Sequence, residues 1–238
     1  LNMESRDAGA VKLGWNIDQV SWNPLTLKTL EDLDRVTLIY DRLVVTGPDG
    51  KPRMWAAESL EVVNDTTIEA TLREGLSFND GVPVTAGDVA FTFRFLKDKG
   101  ATYFRAALSS LAEVSAEGNR VRFTLTEPSA SFVSQALGQV PILPRHVWEP
   151  MEAPQDYRNA EAPVGSGPWS LAYWRQGQEI SFARREGHFM GPKADLLMVQ
   201  FGSAEVLAAA LRAGEIGVSL QPIVPTVVAE FASQPNLQ

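Results

Sequence analysis

The sequence contains no cysteine and only two histidines, His146 and His188, among its 238 residues. Without thiols the chain cannot form a disulfide, a zinc–thiolate site or a cysteine nucleophile. Two histidines far apart in the sequence also disfavour a transition-metal site. We therefore predict that the protein uses no metal and no cofactor.

Long apolar runs and an excess of positive charge are missing as well. No stretch of about 18 apolar residues occurs, so the sequence predicts no membrane-spanning helix. The formal net charge is −8, and an acidic chain is repelled by phosphate backbones, which argues against a nucleic-acid partner. The first nine residues lack a basic segment followed by an apolar run, so they are not a signal peptide. Either the protein is cytosolic or its signal has been removed.

The composition that remains is typical of a globular protein, and strands and helices occur in mixed order. Hydrophobic residues make up 45% and charged residues 21%, which is ordinary for a folded domain. Alternation and helical spacing predict strands and helices in these segments: a strand at 11–17, a helix at 31–40, hairpins at 59–63 with 67–73, at 112–116 with 120–126 and at 169–175 with 179–185, strands at 196–201 and 216–220, and helices at 102–108, 129–137, 204–213 and 224–232. Alternating strands and helices near the end favour parallel strand pairs.

The clearest helix start lies at Thr85. Thr85 and Asp88 have the spacing of a capping box, in which a hydroxyl and a carboxylate bind each other's backbone N–H groups. Asp88 is also favourable at the positive end of the helix dipole. The helix is predicted to end at Gly100.

No residue pattern for covalent catalysis is evident. Ser166 lies between Gly165 and Gly167 in a loop that enters a strand, so it fits neither a hydrolase nucleophile elbow nor a phosphate-binding loop. Neither histidine has an evident nucleophile nearby, and a histidine of this kind is more often at the surface or in a cap. Among 29 acids no pair stands out as glycosidase carboxylates. We predict no catalytic residue; a hydrolase using surface carboxylates is the rival interpretation.

Six tryptophans are present, and aromatic rings serve both as core and as walls of ligand clefts. For any single tryptophan, burial in the core is the default. Trp22 and Trp169 are the better candidates for ligand contact, because each is next to a loop that interrupts a strand, where open α/β sheets present their sites.

Several segments, in order, resemble the family 5 extracellular solute-binding proteins, the dipeptide, oligopeptide and nickel receptors of ABC importers. The strongest is 72–89, Leu-Arg-Glu-Gly-Leu-Ser-Phe-Asn-Asp-Gly-Val-Pro-Val-Thr-Ala-Gly-Asp-Val. The others are Trp-Asn-Pro-Leu at 22–25, Ile-Tyr-Asp-Arg-Leu-Val at 39–44, Trp-Ala-Ala-Glu-Ser at 55–59, Ile-Leu-Pro-Arg-His at 142–146, Pro-Val-Gly-Ser-Gly-Pro-Trp at 163–169 and the helix ending in Gly-Glu-Ile at 214–216. The sequence departs from the family at Asn79, where His or Trp is common, and at Gly217, where Asp is usual.

The resemblance implies a type II periplasmic-binding-protein fold of α/β (mixed α+β) class. It implies that the chain is lobe I of a two-lobe receptor, with its main sheet in 1–45 and 161–238 and an inserted subdomain at 46–160, and that the second lobe is absent. On this interpretation lobe I alone binds solute weakly or not at all. The ligand-binding residues are then expected to be Trp22, Asn23, Gln139, Ser166, Gly167 and Trp169.

The function implied by the resemblance is periplasmic or extracytoplasmic capture of a small solute, with peptides leading, and delivery to the transmembrane subunits of an ABC permease. The family closes its two lobes over the solute, which needs no covalent chemistry. A solute-sensing domain of the same fold, signalling to a receptor, is the alternative. Nickel complexes, oligosaccharides and opine-like compounds also remain open as solutes.

Overall fold

The computed structural model describes residues 9–16 and 21–220. Eleven strands form within these residues: β1 (Val11–Trp15), β2 (Val44–Thr46), β3 (Pro52–Met54), β4 (Ala57–Asn64), β5 (Thr67–Leu72), β6 (Leu111–Glu117), β7 (Arg120–Leu125), β8 (Trp169–Arg175), β9 (Glu179–Arg184), β10 (Leu196–Gln200) and β11 (Val218–Ser219). The α-helices of the same residues are α1 (Leu30–Ile39), α2 (Ala86–Asp98), α3 (Arg145–Trp148) and α4 (Ala204–Arg212). The helix predicted at 224–232 lies outside the described residues.

The chain divides into two compact units, which are described separately. The first unit consists of the described residues of 1–20, 171–184 and 192–238, and the second of 21–170 and 185–191. The sequence placed an inserted subdomain at 46–160; the assignment of the chain to one lobe of a receptor stays a prediction.

The first unit contains a five-stranded mixed sheet in the order β11-β1-β10-β9-β8. Strand β1 is parallel to both β10 and β11, whereas β9 is antiparallel to β10. The predicted parallel pairs are therefore confirmed. Helix α4 forms the connection between β10 and β11, and its apolar residues Leu207, Ala210 and Leu211 pack with Ile216 in a buried cluster.

The second unit contains a four-stranded antiparallel sheet in the order β4-β5-β7-β6. Both hairpins predicted for this segment are confirmed. Helix α2 covers one face of this sheet through aromatic contacts, with the ring centroids of Phe93 and Phe123 4.8 Å apart. Phe123 in turn lies 5.8 Å from Phe132. All three rings are buried, and Phe123 is one of the inward residues of the alternating strand β7.

The two edge strands of this sheet, β4 and β6, are irregular. Register shifts interrupt β4 twice and β6 once. The exposed residues of these strands include four glutamates, Glu58, Glu61, Glu113 and Glu117. Bulges and charges on an edge strand are the usual protection against pairing with another chain.

Helix α2 begins with the predicted capping box. The Asp88 backbone N–H donates to Thr85 Oγ1 at 3.2 Å, and the Thr85 N–H donates to Asp88 Oδ2 at 2.9 Å. The other carboxylate oxygen of Asp88 accepts the backbone N–H of Arg145 at 3.0 Å, at the start of α3. One carboxylate therefore fixes the start of two helices.

Two predicted helices differ from the structure. Residues 102–108 form successive turns, because several of their bonds span three residues, such as Phe104 N–H to Ala101 O; Phe104 and Leu108 are buried at 0% and 2% exposure. Within the predicted helix 129–137, the regular part is a π-helical turn at Val133–Leu137. Among all described residues, no helix has both the length and the apolar character needed to cross a bilayer.

Candidate functional site

A buried carboxylate, Asp41, organises the polar interior of the second unit. It lies two residues after the end of α1 and is 1% exposed. Its Oδ1 accepts the indole N–H of Trp55 at 2.8 Å, and His188 Nε2 lies 3.2 Å from Oδ1 and 3.3 Å from Oδ2. A buried carboxylate needs such partners, because moving a charged group out of water without them costs about 5 kcal/mol.

The hydrogen bonds of His188 define its tautomer. The backbone N–H of Met190 donates to Nδ1 at 3.1 Å, so Nδ1 is the unprotonated nitrogen and Nε2 carries the proton that is donated to Asp41. The side chain of His188 is 3% exposed. This histidine therefore holds the loop 185–191 on Asp41, 147 residues away in the sequence.

Aromatic rings surround this pair on the loop side. The Phe189 ring meets Trp55 edge-on at 5.3 Å between centroids, and the Arg73 guanidinium lies 5.2 Å from the Phe189 centroid. Phe189 nevertheless remains 42% exposed. A large exposed ring beside a polar cavity is available for ligand contact.

The glycines around Ser166 allow the loop to lie directly on the end of α1. The N–H of Gly167 donates to Ile39 O at 2.7 Å. A Cβ at Gly165 would lie 2.2 Å from Ile39 O, and one at Gly167 would lie 2.5 Å from Ile39 C. Ser166, 2% exposed, accepts the backbone N–H of Asp41 at 3.3 Å. The Gly-Ser-Gly sequence is thus explained by close backbone packing.

Changing Gly167 to alanine is expected to lower the free energy of unfolding by about 1–3 kcal/mol, since the new methyl group collides with backbone atoms that are unable to rotate away. The measurement is urea unfolding followed by far-UV circular dichroism. The matched control is Gly202→Ala, because a Cβ at Gly202 meets nothing within 4 Å. Equal unfolding midpoints for the two variants would contradict the close packing described here.

A cavity of about 300 Å³ opens beside these residues. Its lining includes Ser77, Ser166, Arg185 and Phe189, and the exposed acids Glu74 and Glu186. All of its lining residues belong to the second unit. The volume is at the lower end for small-molecule sites, so the cavity suits a group no larger than a small metabolite.

Arg185 is the cationic group of this cavity. Its Nη1 donates to Gly167 O at 2.9 Å and its Nη2 donates to Ser77 O at 2.8 Å. In the described part of the chain no carboxylate lies within ion-pairing distance of it. Partial burial lowers the pKa of the Arg185 guanidinium, and the more distant carboxylates of Asp41 and Asp80 only oppose that shift.

Two of the predicted ligand residues, Trp22 and Asn23, lie in the core, each at 0% exposure. Asn23 Oδ1 accepts the N–H of Leu25 at 2.8 Å, and its Nδ2 donates to the carbonyl oxygens of Pro154 and Tyr157 at 2.6 and 2.7 Å. The backbone N–H of Trp22 donates to Arg158 O at 3.0 Å. In the structure both residues fasten segment 154–158 to the start of the second unit.

The other predicted ligand residues are placed differently. Gln139 is partly exposed, and its Nε2 donates to Gln135 Oε1 at 3.0 Å. Trp169 is half-buried at the start of β8. Ser166 borders the cavity, and Gly167 supplies the carbonyl that fixes Arg185. The structure brings Ser166 and Gly167 together; the ligand-binding role of all six residues stays a prediction.

The sequence interpretation missed Asp41, Trp55, Arg185 and His188 as a connected set. Asp41 and Trp55 did lie inside segments that resemble the solute-binding family, but nothing in the sequence indicated a role for either side chain. His188 was taken for a surface or capping residue. Its partner is too far away in the chain for spacing to reveal. Among the described residues, no group of three or more His, Asp or Glu side chains is arranged to hold a metal ion.

The chain belongs to the family described as bacterial extracellular solute-binding proteins, family 5 Middle, whose profile matches residues 51–238. It is 35% identical over 200 residues to Protein XP55 of Streptomyces lividans, covering 81% of this chain and 36% of that protein. It is 28% identical over 210 residues to the oligopeptide-binding protein AppA of Bacillus subtilis, covering 83% and 38%. The chain therefore spans little more than a third of the length of these relatives.

Solved structures share this fold. A periplasmic oligopeptide-binding protein of an ABC transporter from Thermotoga maritima superposes with a TM-score of 0.80 at 27% identity, over 93% of this chain and 44% of that one. NikZ from Campylobacter jejuni, solved with Ni(L-His), gives a TM-score of 0.82 at 20% identity, over 95% and 45%. The predicted mixed α/β fold of the periplasmic-binding-protein type is confirmed.

Proposed function

We propose that this chain is part of the extracytoplasmic solute-binding component of an ABC importer. The observation that carries the proposal is the family match over residues 51–238, supported by the fold of the Thermotoga oligopeptide-binding protein. In this function the protein captures a small solute by enclosure and presents it to the membrane permease. Binding needs shape and hydrogen-bond donors rather than a reactive group.

The proposal includes the absence of catalysis. In the described residues, the ring nitrogens of the two histidines bond to carboxylates and to one backbone amide: His146 to Asp80, and His188 to Asp41 and Met190. Neither imidazole is bonded to a serine or threonine hydroxyl, which an activated nucleophile requires. This arrangement supports recognition of a solute as the role that we propose for the second unit.

We propose that the solute is a peptide. AppA of Bacillus subtilis and the Thermotoga protein are both named for oligopeptide binding, although the latter was also solved with mannohexaose bound. We further propose that the chain supplies one lobe of a two-lobe receptor, because these relatives are more than twice as long as the segment they share with it. The second lobe would then provide the remaining contacts.

Native mass spectrometry of the full-length protein, purified from its own organism, tests this function. We expect a bound species whose mass and fragmentation identify a peptide, because a closed clamp releases its solute slowly. A bound sugar or metal complex would overturn the assignment of a peptide as the solute, but it would still support a role in solute import. Release of a chemically altered product from a supplied peptide would contradict the non-catalytic role.

A further inference from the structure

The cavity beside Ser166 contains hydrogen-bond donors that the protein itself does not use. A guanidinium has five N–H groups in a fixed planar fork. The bonds of Arg185 to Gly167 O, Ser77 O and, at 3.5 Å, Ser77 Oγ leave part of this fork without a partner among the described residues. Ser166 Oγ accepts from Asp41 N–H, and its own O–H has no acceptor among residues 9–16 and 21–220.

These donors belong to residues that are wholly or partly shielded from water. Ser166 is 2% exposed and Arg185 is half-buried. Asp41, the nearest buried carboxylate, is already bound by Trp55 and His188 and makes no ion pair with Arg185. A partly desolvated guanidinium and a hydroxyl that line the same cavity favour a carboxylate as ligand, because charge-assisted and bidentate bonds to a carboxylate are strong.

The exposed residues of the lining have the opposite charge. Glu74 and Glu186 line the cavity and are exposed, and Phe189 adds an apolar ring. The two carboxylates repel a dianion such as phosphate and attract an ammonium group. The cavity therefore discriminates in favour of a small molecule with both charges.

We propose that this cavity binds the free carboxylate of a zwitterionic solute, an amino acid or a short peptide, through Arg185 and Ser166, with its ammonium group at Glu74 and Glu186. The proposal rests on the function given above and assigns the cavity as a subsite of the second unit alone. The volume of about 300 Å³ accommodates an amino acid or the end of a peptide and excludes a long chain.

The test is a titration of the isotopically labelled 238-residue chain followed by two-dimensional NMR. The reporters are the amides of Gly187 and Phe189 and the indole N–H of Trp55, with the amide of Gly50, a residue of the same unit outside the cavity lining, as the reference. Three probes test the two charged groups of the ligand separately. Glycylglycine has both a carboxylate and an ammonium group, N-acetylglycine has only the carboxylate, and glycylglycinamide has only the ammonium group. We expect saturable shifts at the reporters with glycylglycine, weaker binding of N-acetylglycine, and no saturation with glycylglycinamide.

Variants then assign the contacts. Arg185→Gln is expected to raise the Kd for glycylglycine by about ten- to a hundredfold, which is the effect of losing charge-assisted bonds, and Arg185→Lys by less. Glu74→Gln removes one of the two carboxylates proposed to bind the ammonium group. It breaks no hydrogen bond or ion pair that the structure describes for Glu74, and it should bring the Kd for glycylglycine towards that for N-acetylglycine. It remains informative even if the Arg185 variants unfold, because Arg185 also joins two loops.

The proposal is overturned if glycylglycine gives no saturable shift, if glycylglycinamide shifts the same residues equally, or if a folded Arg185→Gln binds as before. Inorganic phosphate that binds as well as glycylglycine would show an unselective anion site and would also overturn it. Solute capture by the full-length protein is decided separately by native mass spectrometry, so either proposal fails independently of the other.

Discussion

Replacing Trp22 by alanine is expected to lower the free energy of unfolding by about 3–5 kcal/mol, the usual cost of removing a large aromatic side chain from a core. The reason is that Trp22 is 0% exposed and that its backbone is bonded to Arg158 and Asn159. Urea unfolding followed by far-UV circular dichroism measures the loss. Leu30→Ala is the control, since Leu30 is 57% exposed and its truncation should change stability by about 0.5 kcal/mol or less.

This expectation also decides how a binding defect at Trp22 is interpreted. Trp22→Phe retains most of the buried ring, so in the full-length protein it should preserve both the fold and the solute affinity. If Trp22→Ala instead unfolds at the wild-type urea concentration and yet loses solute affinity, the indole contacts the solute, as the sequence predicted.

Replacing Asp41 by alanine should lower the free energy of unfolding by roughly 2–5 kcal/mol. The part-buried N–H groups of Trp55 and His188 would both lose their acceptor, and each unsatisfied group costs about 1–3 kcal/mol. Thermal unfolding measured by calorimetry would show it, and the indole N–H resonance of Trp55 should move because its hydrogen bond is lost. Asp41→Asn keeps an acceptor oxygen and should cost less.

The control for Asp41 is Asp65→Ala, in the exposed turn between β4 and β5, where no large effect is expected. An Asp41→Ala protein as stable as the Asp65→Ala protein would mean that the buried carboxylate contributes nothing to the position of loop 185–191. In that case the position of the loop that lines the cavity would depend on the hydrogen bonds of Arg185 alone.

Local sequence signals predicted the elements that local forces determine. The capping box at Thr85 and Asp88 was predicted and is present, because both of its bonds join residues three apart. Helix α4 ends before Gly214, which has a positive φ of 71°. Turns of this type favour glycine for steric reasons that are visible in the sequence.

Sequence reasoning failed where a distant part of the chain determines the outcome. Residues 102–108 were expected to be helical, but burial of Phe104 and Leu108 overrides a propensity that is weak in an isolated segment. The contact between Asp41 and His188 joins residues 147 positions apart. No periodicity or spacing rule covers such a pair. Of the residues that line the cavity, the sequence predicted only Ser166.

The irregular outer strands of the antiparallel sheet have a consequence for how copies of this protein meet one another. A flat ribbon of free amide and carbonyl groups would allow neighbouring copies to stack edge to edge into filaments. Here the breaks in β4 and β6 put successive donors out of step, and the glutamates beside them repel an identical strand. We therefore expect that copies of the chain do not pair along these edges, although Val62 on β4 is 68% exposed.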